Sequence, residues 1–476
     1  MMDRKNTFFS LNINAFTHRI GILSGSAVLK FALQFIIIIV YAKNLSLVDY
    51  GIYQSVWLFI NFFSVIGLFG LSALLLSSPF DAVLTWIKEN KKKVYTTGLL
   101  LNLLCAGYLF GFGPAFSLQE KFLLVALLVA QNISFLAEAL LIKIEKEKKV
   151  FSANLVYLLF YGSAHFYFLY HPYSLPQLLG ALVAATLVKC ILLAVHCRKI
   201  MIPGTETPTA GIGRQWLYLG LIELLGIVVK WLDKWVVLFL LPVSQFAVYF
   251  NGSYEIPVFG LIATAIGSVI LVELAKRPKG DAAAAKNVFE RSSLFLASVV
   301  LPAFCFLFFY SDNFFHVIFG AKYNESIPIF KISILILPVR AIYSTAVLQV
   351  YHRADLIMKG AFMDLLLTIV LAFILYPFLQ MRGLALSFVL STYAQVGFYI
   401  WQTARIIQKP FWYIFPLGKM AVLLLLSFAV MGAGKFAFYG LDEKFQMIPG
   451  IVLSAALFFI FYNVFYRKSL ETTDHM

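Results

Sequence analysis

Apolar residues run in windows of about 20, the length a helix needs to cross the hydrocarbon of a bilayer. These windows recur from Ile20 to Tyr466 without a polar stretch long enough to form a soluble domain. Fourteen can be placed, at about 20–42, 52–78, 94–113, 122–142, 150–170, 177–197, 215–241, 246–272, 292–310, 326–350, 360–378, 384–403, 415–436 and 447–466. Gaps after odd-numbered windows carry turn chemistry, as at His171-Pro172-Tyr173 and Leu241-Pro242-Val243. Gaps after even-numbered windows carry charge: Lys88 with Lys91, Lys92 and Lys93; Lys143 with Lys146, Lys148 and Lys149; and Lys276, Arg277, Lys279, Lys286 and Arg291. With the N-terminus inside, about 26 Lys and Arg fall on the cytoplasmic side, about 6 outside and about 6 within windows. The pattern predicts an all-α polytopic membrane protein of about 14 transmembrane helices with both termini cytoplasmic. Arg4 and Lys5 precede a full-length window with no small-residue cleavage site, so the N-terminal segment reads as a helix cap rather than a removable signal.

Composition sharpens this reading. Of 476 residues, 61% are hydrophobic and 13% charged, against about 45–50% and about 25% in soluble chains. The net charge of +15 follows from Lys and Arg collecting in cytoplasmic loops, so it does not point to nucleic acid. Cys105, Cys190, Cys197 and Cys305 lie in or beside apolar windows without a C-x-x-C spacing, which predicts packing residues and neither a disulfide framework nor a metal site. The longest external gap, Ser311 to Glu325, is too short for a catalytic domain. No P-loop, H-E-x-x-H or G-x-S-x-G run is present, so ATP-driven pumping and hydrolysis lack support and no cofactor is expected.

The Pro/Thr/Gly stretch Ile202 to Pro208 reads as a linker. It divides the chain into an N-terminal lobe (1–197), a cytoplasmic linker (198–214), a C-terminal lobe (215–405) and a pair of C-terminal helices with a tail (406–476). A shift of 196 lays Asn44 to Tyr53 on Leu240 to Tyr249 and matches Tyr50-Gly51-Ile52-Tyr53 with Phe246-Ala247-Val248-Tyr249. Six windows is an even number, so both halves start on the same side. Two six-helix lobes in a parallel pseudo-twofold repeat are therefore expected, with a cavity between them.

The hairpin Leu45-Ser46-Leu47-Val48-Asp49-Tyr50-Gly51-Ile52-Tyr53, and its counterpart Leu241 to Tyr249 preceded by Asp233-Lys234, resembles the polysaccharide and O-antigen flippases of the multidrug/oligosaccharidyl-lipid/polysaccharide (MOP) exporter superfamily. The resemblance implies an exporter that carries undecaprenyl-pyrophosphate-linked glycans from the cytoplasmic to the outer leaflet of the bacterial inner membrane. It also implies membrane lipids and other polysaccharide-assembly membrane proteins as partners, and no enzymatic activity.

Charges inside the windows are the functional candidates, because each costs about 2.5–3.5 kcal/mol if it faces lipid. The bases are Lys30, Lys189, Lys230, Lys234, Lys331 and Arg340; the acids are Glu138, Glu223, Asp233, Glu255 and Asp364. At 100° per residue, Glu223, Lys230 and Lys234 share an arc of about 40°. Ser26, Lys30, Gln34 and Tyr41 form one stripe, Gln131, Ser134 and Glu138 another, and Ser333, Arg340 and Ser344 a third. Lys30, Lys230, Lys234 and Arg340 are the expected phosphate contacts, since a guanidinium can fork onto an anion and lysines act as mobile point charges. Gln34 and Glu223 would line the cavity, and Asp233 would neutralise Lys230 or Lys234. Glu138 and Glu255, with no base on their own helices, are candidate proton- or cation-coupling carboxylates or partners of a Lys elsewhere. Lys189 and Lys331 are expected to snorkel to the interface, and Asp364 to sit in the favourable field of a helix start. A drug or organic-cation antiporter of the same superfamily is the alternative within transport, although it would want an acid-dominated cavity. A membrane glycan polymerase or glycosyltransferase is the alternative of another class.

Overall fold

The computed structural model describes residues 25–26, 28–112, 116–197, 209–275 and 281–467. The expected cytoplasmic termini, most of the linker and the cluster Lys276, Arg277 and Lys279 lie outside the described residues. Every regular element among the described residues is helical, and contacts divide the chain into a unit ending at Trp231 and a unit starting at Leu232.

The first unit runs through α1 (28–44), α2 (Leu47–Leu68), α3 (Leu71–Ser77), α4 (Phe80–Glu89), α5 (Lys91–Phe112), α6 (Leu118–Lys143), α7 (Glu147–Tyr170), α8 (Leu175–Cys197) and α9 (Ile212–Leu240), in which the division falls. Helix α8 packs along α6 and α7, and α2 packs on α5 and α6. Ser46 opens α2 by accepting from the Asp49 amide. Ser117 and Glu120 close a reciprocal capping box on α6, which satisfies amides that the helix itself leaves open. Short α4 buries Val83 and Trp86 against Leu74, Ile212 and Trp216.

The second unit continues through α10 (Val243–Gly252), α11 (Pro257–Ala275), α12 (Ala282–Phe309), α13 (Ser311–Ile318), α14 (Ser326–Ser333), α15 (Leu337–Arg340), α16 (Ala346–Val350), α17 (Ala354–Leu379), α18 (Met381–Ile407), α19 (Phe411–Ile414), α20 (Leu417–Ala437) and α21 (Glu443–Phe461). Helices α17 and α18 form a long antiparallel pair, and α12 carries α20 and α21. The segment from Ser311 to Glu325 is mostly helical, folded as α13 and a 3-10 turn at Ala321–Tyr323.

Nine helices among the described residues are long and apolar enough to cross a membrane. Helices α7 and α9 run unbroken for 24 and 29 residues. Three windows that read as continuous are interrupted. The window 52–78 breaks between α2 and α3, where Phe69 (φ 42°) and Gly70 (φ 74°) are both left-handed. A Cβ on Gly70 would lie 2.4 Å from the Gly220 backbone nitrogen of α9, so this position needs glycine for both conformation and space. The window 246–272 breaks at Ser253 to Ile256, because Pro257 has no amide to extend α10 and instead starts α11. The window 326–350 breaks into α14, a 3-10 turn at Ile334–Ile336, α15 and α16.

The repeated hairpin keeps its register. Ser46 and Pro242, 196 positions apart, are the N-caps of α2 and α10. Tyr50 and Phe246 are fully buried, as is Tyr249, while Tyr53 is 2% exposed.

Candidate functional site

Two of the helix breaks meet in the second unit. Glu255 lies in the α10–α11 break and Arg340 ends α15. The guanidinium donates Nη2 to Glu255 Oε1 at 2.7 Å and Nη1 to Oε2 at 3.1 Å. Their side chains are 33% (Arg340) and 41% (Glu255) exposed, so the protein does not enclose the fork completely.

Beside it, Asp233 and Lys234 on α9 are buried. The Asp233 carboxylate accepts from Lys234 Nζ at 3.2 Å and from the Tyr249 hydroxyl at 2.9 Å. Asp233, Lys234, Glu255, Ser333 and Arg340, with Phe259 and Phe388 as apolar walls, line a cavity of about 30 Å³. That is room for about two waters, not for a glycan phosphate, so a larger ligand enters only as the fork opens. The four charges sum to zero.

A second cluster occupies the first unit. Lys189 on α8 is 3% exposed and pairs with Glu138 of α6, its ammonium 5.0 Å from the Tyr157 ring centroid. Lys30 of α1 is half-buried and coupled electrostatically to both, with its ammonium 6.0 Å from the Phe135 ring. The cluster holds two lysines and one glutamate, a formal charge of +1. From Tyr157 an aromatic column climbs α7 at helical spacing through Tyr161 to His165, a face buried against α1 and α2. His165 sits 3.1 Å from the Tyr53 hydroxyl, while its backbone carbonyl accepts from Tyr41.

These placements correct parts of the sequence reading. Lys189 does not snorkel, since Glu138 compensates its charge in the interior. Asp364 is not at a helix start: it lies well inside α17, 2% exposed, beside Ser391, with Oδ1 lacking a hydrogen-bond partner among the described residues. Lys331 is half-exposed and held by Asp312 at 3.0 Å. Asp233 neutralises Lys234 and not Lys230, which is exposed and lies 5.5 Å from the Trp231 ring. Gln34 is half-buried on α1, and Glu223 is half-buried beside the Gly70 backbone at the α2–α3 break.

Sequence reasoning passed over the His165 column and a polar knot in which Lys435 of α20 binds Asn313 and Gln446. The breaks were signalled by Gly70, Pro257 and Pro338, each beside or near a polar or charged residue in an apolar window. Among the described residues no group of three His, Cys, Asp or Glu side chains gathers as metal ligands.

The fold is shared with solved transporters. The lipid II flippase MurJ, in an inward closed conformation, superposes with a TM-score of 0.69 at 16% identity, covering 94% of this chain and 99% of that one. An inward-facing multidrug resistance MATE family transporter of the MOP superfamily gives a TM-score of 0.55 at 14% identity, covering 79% and 94%. No curated protein matches the sequence. The polysaccharide biosynthesis protein family matches residues 40–328, well over half of the chain, and the protein belongs to that family.

Proposed function

We propose that the protein moves an undecaprenyl-pyrophosphate-linked oligosaccharide from the cytoplasmic to the outer leaflet of the bacterial inner membrane, by alternating access and without ATP. The observation that carries this reading is the +1 cluster of the first unit. Glu138 is taken by Lys189, so Lys30 stands without an ion pair of its own among the described residues, half-buried in an apolar helix. An uncompensated cation there is costly unless an anion visits it. A pyrophosphate does so, exchanging water for ammonium and guanidinium donors.

Lys230 is a second candidate cation without an ion pair among the described residues. Lys234 and Arg340 reach phosphate only by leaving carboxylates, while Gln34, Glu223 and Asp233 serve as polar and acidic lining. Both termini are placed in the cytoplasm by the Lys and Arg asymmetry. The lipid-linked glycan and membrane lipids are the partners, with other polysaccharide-assembly membrane proteins alongside. The protein in proteoliposomes should expose a fluorescent undecaprenyl-pyrophosphate oligosaccharide to an outside reagent, and Lys30→Ala should not. Equal movement by both would remove Lys30 from the substrate path.

A further inference from the structure

The corner that joins α18 to α20 gathers cations around one ring. Helices α18 and α20 are both long and apolar enough to cross a membrane, and so is α12, which packs against α19. In a chain that crosses a bilayer, the linking segment 408–416 therefore lies at a membrane face. Lys286, about one turn into α12, and Lys409, two residues past the end of α18, hold their ammonium groups 5.0 and 5.9 Å from the Tyr413 ring centroid. Arg405, in the last turn of α18, lies 4.9 Å from the Trp401 ring. We propose that Lys286 and Lys409, at Tyr413, bind the headgroup phosphate of an anionic phospholipid of the bilayer. The inference goes beyond the cargo reading and rests only on the chain crossing a membrane.

Charge on the packed elements favours an anion. Helices α18, α19 and α20 contain no Asp or Glu. Helix α12 contains one, Glu290, which is engaged by Lys419 of α20, and it also carries Arg291. Asp281, just before α12, caps the Ala284 amide. Beyond α18, Asp355 of α17 is held by Arg353, and Lys359 is exposed. No carboxylate closes on Lys286 or Lys409 among the described residues. Each ammonium rests against the ring on one side and keeps N–H donors for phosphate oxygens on the other.

The shape of α19 selects a lipid over a soluble anion. Ile414 and Phe415 are buried, and the Phe415 ring lies 4.6 Å from Phe289, which fixes this turn to α12. Phe411 and Trp412 lie outside that core, 42% and 69% exposed. Aromatic rings at a membrane face sit at headgroup level, with acyl chains beside them. A soluble anion would leave both rings uncovered, whereas a phospholipid meets the cations with its phosphate and the rings with its chains.

The test is quenching of Trp412 fluorescence in proteoliposomes of phosphatidylethanolamine and phosphatidylglycerol, with one of the two brominated in its acyl chains. The Trp412 signal is the difference between the full chain and Trp412→Phe, which keeps a ring. At equal mole fraction, phosphatidylglycerol should occupy the site at least about fivefold more strongly than phosphatidylethanolamine. Lys286→Gln with Lys409→Gln should abolish that preference, and Lys286→Arg with Lys409→Arg should keep it. Lys92→Gln with Lys93→Gln, which removes equal charge from exposed positions of α5, should leave it unchanged. Equal quenching by the two lipids, or the same loss in the α5 variant, reduces the patch to net charge and overturns the site. Displacement of brominated phosphatidylglycerol by unbrominated undecaprenyl pyrophosphate at the same mole fraction assigns the patch to the cargo and overturns the phospholipid assignment.

Discussion

Arg340 and Glu255 join two interrupted helices through paired hydrogen bonds of 2.7 and 3.1 Å, although 85 residues separate them in sequence. The contact ties the α10–α11 break to the end of α15, and both residues line the pocket of about 30 Å³. Exchanging the two residues, as Arg340→Glu with Glu255→Arg, should restore folding lost in either single reversal but not full transport, because the cation then sits on the other break. Protein accumulation and export, measured together, check this; full export by the exchanged protein would show that only the tie matters.

The Glu138–Lys189 pair makes a stability prediction. Lys189 is 4% exposed at its side chain and Glu138 17%, so removing one partner strands a charge in the interior. Lys189→Met should lower stability by about 3–5 kcal/mol. Glu138→Gln added to it should recover most of the loss. Thermal unfolding of the purified variants reads both, and a double variant as unstable as the single would mean that the lysine acts by packing alone.

Gly70 and Gly98 form a matched pair of glycine tests. Gly70 is left-handed and meets Gly220, whereas a Cβ on Gly98 of α5 meets nothing within 4 Å. Gly70→Ala should cost about 2–5 kcal/mol from strain and overpacking together, while Gly98→Ala should stabilise by up to about 1 kcal/mol. Comparable melting temperatures for the two variants would contradict the account of the α2–α3 break.

Orientation is open to direct labelling. In a cysteine-free background, a membrane-impermeant thiol reagent applied to intact cells should modify a probe at Ser174 or Asn324 and leave probes at Lys148 or Thr205 unmodified until the cells are opened. Labelling at Lys148 from outside would reverse the topology drawn from the Lys and Arg distribution.

How far the chain could be read follows from what each signal measures. Hydropathy sums the transfer of side chains, so it located the apolar windows and the repeated hairpin whose caps are Ser46 and Pro242. It is blind to the backbone, and so ran straight through Phe69-Gly70 and Ser253 to Ile256. The left-handed turn at Gly70 is selected by the close approach of Gly220, a contact 150 residues away in sequence. Intramembrane charges were visible one by one, but pairing is a property of neighbouring helices. Helical spacing could group Glu223 with Lys230, yet it could not show that α8 brings Lys189 to Glu138. His165 went unnoticed because a lone histidine among aromatics carries no spacing signal, and only folding sets it beside Tyr53.

The central claim is that the protein carries a lipid-linked glycan through a cationic path that includes Lys30. Its most direct test is transbilayer movement of a fluorescent undecaprenyl-pyrophosphate oligosaccharide in proteoliposomes, compared with accumulation of a fluorescent organic cation in the same vesicles. The account predicts that wild-type protein moves the glycan lipid, that Lys30→Ala with normal insertion loses at least about 90% of that movement, and that neither accumulates the organic cation. Gradient-driven accumulation of the organic cation with no movement of the glycan lipid would contradict it and make the protein a drug antiporter.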